Sequence, residues 1–142
     1  LLYARLLGSL MAERCAQYYT IGVPLPAMLI PVPLHPQRLR SRGYNQATEL
    51  AKWVSRRLEV PLAYGYVQRV KYTEAQMELP LSLRALNVKN AFVTKKLIPS
   101  HVAIIDDVVT SSHTIQAMSA ALQYGGAKQI EVWCVARAVK KL

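Results

Sequence analysis

Residues 102–135 read in one pass as strand, turn, helix, turn and strand, and no other stretch narrows the fold as much. An apolar run at 102–105 precedes a helical pattern through Ile115, Met118, Ala121 and Leu122, which the Gly125-Gly126 pair stops. A second apolar run at 130–135, rich in β-branched and aromatic residues, follows closely. Two strands joined through a helix lie parallel in one sheet. Strand-like runs at 28–33, 62–70 and 91–93 alternate with a further helical pattern that starts at Asn45. Its inner stripe is Ala47, Leu50, Ala51, Val54 and Leu58, and Pro61 ends it. The expected fold is α/β, a mostly parallel sheet flanked by helices, in a single domain over residues 1–142. Residues 1–19 add an amphipathic helix, with Leu2, Leu6 and Leu10 beside Leu7 and Met11 as its expected core face.

In sheets of this kind ligands bind beyond the carboxyl ends of the strands. The only two aspartates of the chain, Asp106 and Asp107, stand side by side directly after the 102–105 run. Adjacent like charges cost energy unless hydroxyls, cations or arginines compensate them. Thr110, Ser111, Ser112, His113 and Thr114 follow, with Ser112 or Thr114 as the expected helix cap. Carboxylates can hold sugar hydroxyls or magnesium, and a helix start offers backbone N–H groups to a phosphate. Together they suit a phosphorylated sugar, whereas the plainer reading is an ordinary turn with a cap.

A second candidate segment follows the 28–33 run. Residues 34–37 read as a tight loop, after which Arg38, Arg40 and Arg42 alternate up to Gly43. Guanidinium forks match phosphate oxygens, and in an extended loop Arg38 and Arg42 would point the same way. A solvated basic helix start is the alternative. Residues 71–90 carry polar and basic side chains without a sustained period, as a functional loop does.

The formal net charge of +10 points to a polyanionic partner. Cys15 and Cys134 are too few for a metal knuckle and are expected to be buried free thiols. No apolar run reaches the ~20 residues of a membrane span, so no membrane insertion is expected. Arg5 and Glu13 interrupt the first segment, which carries no cleavage pattern. Cytoplasm is the expected compartment.

Residues 102–114 (VAIIDDVVTSSHT) resemble the signature of type I phosphoribosyltransferases, which bind 5-phosphoribosyl 1-pyrophosphate (PRPP). Residues 31–36 (PVPLHP), 38–46 (RLRSRGYNQ) and 84–92 (RALNVKNAF) resemble the ComF family in particular. These ComFC- or GntX-like proteins are associated with bacterial competence and the use of external DNA. The resemblance runs over roughly residues 28–138.

It implies that Asp106 and Asp107 hold the ribose 2- and 3-hydroxyls, directly or through water and magnesium (Mg2+), and serve catalysis together with Arg84. Thr110, Ser111, Ser112, His113 and Thr114 would wrap the 5-phosphate, His113 through its backbone N–H. Leu34, His35, Arg38 and Arg42 would form the pyrophosphate loop. Residues 71–90 would be a flexible hood, from which Lys71 and Arg84 reach the pyrophosphate. Gln76 and Asn87 fit the family pattern without an assigned chemistry.

The chain departs from the family in two places. Serine stands where the phosphate loop usually has glycine, which a positive-φ turn would penalise. The cysteine-rich zinc module of many ComF proteins is not among these residues, so magnesium is the only metal expected. Two outcomes stay open. One is phosphoribosyl transfer with release of pyrophosphate. The other is a non-catalytic accessory protein of DNA uptake that binds single-stranded DNA and keeps the PRPP site as a sensor or relic. In the second case tyrosines such as Tyr18, Tyr19, Tyr44 and Tyr64 would stack bases.

Overall fold

A computed structural model describes residues 2–70, 91–110 and 112–138. The expected hood at 71–90, with Lys71, Gln76, Arg84 and Asn87, lies outside the described residues, as does Ser111. In chain order the elements are α1 (Leu2–Tyr18), β1 (Met28–Pro31), α2 (Pro36–Arg42), α3 (Gln46–Leu58) and β2 (Val67–Arg69). They continue as β3 (Phe92–Thr94), β4 (His101–Val109), α4 (His113–Tyr124) and β5 (Gln129–Arg137).

The α/β expectation is borne out. β1, β4 and β5 form a parallel sheet in the order β1-β4-β5, with Ile30 opposite Ile104 and Ile104 opposite Val132. A single parallel bridge between Leu29 and Leu62 adds to the free side of β1, and β2 pairs antiparallel with β3 in a separate small sheet. Of the expected 62–70 strand, only Val67–Arg69 is one. Alternate residues of β4 feed two cores. Val102 and Ile104 pack with Ile30, Phe92, Met118 and Leu122, while Ala103 and Ile105 pack with Leu29, Leu50, Val54 and Trp133. Both sheet faces are therefore covered, as apolar parallel strands require.

Three expectations need correction. β4 does not stop before the carboxylates. Asp106 pairs with Cys134 and Val108 with Ala136, because β5 offers partners along its whole length. Residues 36–42 are not an extended loop but a helix. Pro36 suits its first turn, His35 Nδ1 accepts from the Gln37 N–H at 3.2 Å, and Gly43 closes it at φ 84°. Arg38 and Arg42 still share a side, since residues four apart lie on one face of a helix as they do of a strand.

The third correction concerns α1. Leu2, Leu6 and Leu10 are 78%, 56% and 53% exposed, and the buried residues are Ala4, Gly8, Met11 and Ala12. A Cβ placed on Gly8 would lie 2.7 Å from the Cβ of Trp53 and 3.1 Å from the carbonyl oxygen of Leu50. The α1 and α3 backbones approach too closely there for leucine, so the small residues take the contact. α3 behaves as its periodicity predicts, burying Ala47, Leu50, Ala51 and Val54. Among the described residues no helix is long and apolar enough to cross a membrane. Both cysteines are free, and both are half-buried where full burial was expected.

Candidate functional site

β1 and β4 are neighbours in register, Pro31 opposite Ile105, and the Val32 N–H donates to the Ile105 carbonyl at 2.9 Å. The two segments that the sequence singles out therefore leave the sheet at the same end. Asn45 fastens this exit. Its Nδ2 donates to the Val32 carbonyl at 2.9 Å while its Oδ1 accepts from the Ala47 N–H at 3.0 Å, capping α3. On α2, Arg38 is half-buried, and Arg42 donates from Nη1 to Gln46 Oε1 at 3.2 Å. Leu34 and His35 lie between β1 and α2, both half-buried.

Asp106 and Asp107 close the buried part of β4. Asp106 Oδ1 accepts from the Asp107 N–H at 2.9 Å, and Asp107 Oδ1 accepts from the Val108 N–H at 2.8 Å. Burial first, and then the hydrogen bond and charge of Asp107, push the Asp106 carboxyl up to about 7. Neither forms an ion pair within 4.0 Å among the described residues. Asp107 also lines a cavity of about 300 Å³ with Tyr44, Gln46 and Glu49.

α4 begins just beyond. Its cap residue Ser112 sits at φ −76° and ψ −1° and makes no side-chain bond to the helix. The first intrahelical bond runs from the Gln116 N–H to the Ser112 carbonyl at 2.8 Å. The amides of the first turn have no intrahelical acceptor and carry the positive end of the dipole. Thr110 and Ser112 are exposed, while His113 and Thr114 are half-buried. His113 Nδ1 is buried without a hydrogen-bond partner among the described residues. Glu59 is the only non-glycine residue at positive φ among the described residues, so Ser112, standing where the family usually has glycine, brings no backbone strain.

Sequence reasoning missed Arg69. This residue of β2 is only 8% exposed, and its guanidinium lies 5.3 Å from the centroid of the Phe92 ring. Burial lowers its pKa most, Arg38 lowers it further, and Asp106 acts the other way. One cation thus feels both candidate segments at once. The signal was in the alternation. Val67 and Arg69 share the inward side of β2, and a charge at an inward position needs compensation.

For a metal, two carboxylates and the oxygens of a phosphorylated ligand are the donors magnesium prefers. No cluster of three or more His, Cys, Asp or Glu side chains gathers among the described residues. An ion here would take its remaining ligands from substrate and water.

The phosphoribosyl transferase domain pattern matches residues 45–141, a span that contains the carboxylate pair and α4 but not α2. The chain belongs to the phosphoribosyltransferase family. It is 43% identical over 123 residues to Competence protein F of Haemophilus influenzae, covering 84% of this chain and 54% of that protein. It is 36% identical over 119 residues to the DNA utilization protein YhgH of Escherichia coli K12, covering 83% of this chain and 52% of that protein. The chain thus spans about half the length of the curated relatives it matches, and its ComF resemblance is borne out.

Solved structures agree on the fold. The allosteric regulatory enzyme of purine biosynthesis superposes with a TM-score of 0.60 at 16% identity, over 93% of this chain and 25% of that one. Hypoxanthine phosphoribosyl transferase of Trypanosoma cruzi gives 0.54 at 16% identity, over 96% and 74%.

Proposed function

We propose that this chain binds PRPP with magnesium at the carboxyl end of its sheet and is arranged for phosphoribosyl transfer with release of pyrophosphate. One observation carries the reading. β1 and β4 end together, so a carboxylate pair, a helix start and an arginine helix share one rim.

The 5-phosphate would sit at the start of α4, held by its first amides and by the hydroxyls of Thr110, Ser112 and Thr114, with Ser111 between. Asp106 and Asp107 would accept the ribose 2- and 3-hydroxyl protons. The pyrophosphate would face Arg38 and Arg42 and the backbone at Leu34 and His35, with Arg69 between the two groups. Lys71 and Arg84 are assigned to the same pyrophosphate by family resemblance. When bound, magnesium would lie beside the carboxylates and offset the charge of the phosphate oxygens.

In the transfer, the bond from C1 of the ribose to the pyrophosphate oxygen breaks as the acceptor's lone pair forms the new bond to C1. The pyrophosphate leaves with the electron pair. The residues named here position the sugar and stabilise the leaving charge, and no protein nucleophile is required.

A second reading is supported by the +10 charge and by relatives named for competence and DNA utilization. In it the chain also engages nucleic acid, and the PRPP site serves as a sensor. We place either activity in the cytoplasm, where free thiols such as Cys15 and Cys134 persist.

Titration calorimetry with PRPP and magnesium tests the first reading. The wild type should bind, and Asp107→Asn should bind at least ~10-fold more weakly while keeping its fold, since a charge-assisted contact is lost. A wild type that releases no heat with PRPP and magnesium at millimolar concentration removes the reading together with its phosphate loop.

A further inference from the structure

Away from the sheet's carboxyl end, two arginines converge on one indole. The guanidinium of Arg5 on α1 lies 5.6 Å from the centroid of a Trp53 ring, and that of Arg56 on α3 lies 5.3 Å from it. Trp53 itself is fixed, because its Cβ stands against the Gly8 position where the two helices touch. Each cation is attracted by the electron-rich face of the ring. Placed together, the two like charges repel each other.

No carboxylate among the described residues lies within 4.0 Å of either guanidinium. The only ion pairs among the described residues are Lys52 with Glu49 and His101 with Glu131. Arg57 continues the row along α3, one helical turn beyond Trp53. Arg5, Arg56 and Arg57 are all exposed. These cations stand out from the outer faces of α1 and α3, so a small phosphate there would remain solvated. A chain of phosphates, by contrast, could follow the ridge from one guanidinium to the next.

We infer that the α1–α3 ridge of Arg5, Trp53, Arg56 and Arg57 is a docking surface for the phosphodiester backbone of a nucleic acid. The contact is independent of base sequence, because guanidiniums on an outer ridge meet phosphates and leave base edges unread. The inference rests on the nucleic-acid reading given above and is independent of the PRPP site.

The test is fluorescence anisotropy with labelled single-stranded and duplex oligonucleotides of mixed sequence, at several salt concentrations. Wild type, Arg5→Gln, Arg56→Gln, the double variant and Lys128→Gln are compared. Each arginine change should lower the slope of log affinity against log salt by about 0.7–0.9, the value for one phosphate contact. Lys128→Gln, which removes an exposed cation away from the ridge, should leave that slope unchanged. The relative strength on the two oligonucleotides identifies the preferred strand form.

A wild type that binds oligonucleotide while the double variant keeps the full slope overturns the ridge and leaves the nucleic-acid reading standing. A wild type that binds neither oligonucleotide overturns both. Binding to anionic phospholipid vesicles in place of oligonucleotides overturns the partner assignment. Arg5, Arg56 and Lys128 are all exposed, so these variants are expected to fold.

Discussion

At its first residue β4 sets His101 Nε2 against Glu131 Oε2 at 2.7 Å, and Tyr19 donates its hydroxyl to the other oxygen of the same carboxylate. Near its far end the same strand carries Asp106 and Asp107, whose oxygens accept from their neighbours' backbone amides and have no cation within 4.0 Å among the described residues. The first carboxylate is a joint. Through Tyr19 it ties the chain just beyond α1 to β4 and β5, and it adds to burial, the larger cause, in raising the Cys15 thiol to about 11. The second pair carries unbalanced charge, which the fold tolerates by holding the Asp106 proton up to about 7. A carboxylate supplied with a tyrosine and a histidine serves the scaffold, whereas one supplied mainly with another carboxylate leaves charge that the proposed magnesium and ribose contacts would balance.

That contrast can be broken by substitution. Glu131→Ala should have the largest effect, about 3 kcal/mol in urea unfolding, since two part-buried partners lose their acceptor at once. PRPP binding should survive it.

Asp106→Asn should act in the opposite direction, adding about 2 kcal/mol at pH 8 by removing a desolvated charge. The sign follows from proton counting. Between about pH 4 and pH 7 the native Asp106 keeps a proton that the unfolded chain has released, so wild-type stability falls as pH rises through that window. Urea melts at pH 4.5 and pH 8 should show this fall in the wild type and its loss in the variant.

Asn45→Ala should cost about 1–2 kcal/mol, because the side chain both caps α3 and holds the Val32 carbonyl. Ser112→Ala should be the mildest, within about 0.5 kcal/mol in stability, since Ser112 makes no side-chain cap bond. It should nevertheless weaken PRPP binding. A loss of stability for Ser112→Ala as large as for Asn45→Ala would erase the distinction between scaffold and ligand ends.

Much of this was readable before the fold was known, and the exceptions have physical causes. The parallel sheet followed from the alternation of periods, and α3 buried the stripe its spacing indicated. α1 did not, because periodicity reveals that a helix exists but not how near its neighbour's backbone comes. Gly8 and Ala12 decided the contact, and they are the least hydrophobic-looking members of the row. The arginine segment follows the end of β1 as expected, but Pro36 and Gly43 define a short helix where alternation suggested an extended loop. β4 outran its apolar run because its length is set by β5, a partner far along the chain. Arg69 went unnoticed because its compensation comes from other elements, and one strand's pattern cannot display that.

The leucines left outside on α1 have a consequence for handling. Copies of a +10 chain repel one another, and this repulsion keeps the exposed row of Leu2, Leu6 and Leu10 from meeting its like. The reach of that repulsion shrinks from about 8 Å at physiological ionic strength to about 3 Å in 1 M salt. Concentrated salt, the usual means of stripping polyanions from a basic protein, should therefore also bring these molecules together. During purification such a chain is best kept dilute in high salt and concentrated only after the salt is lowered.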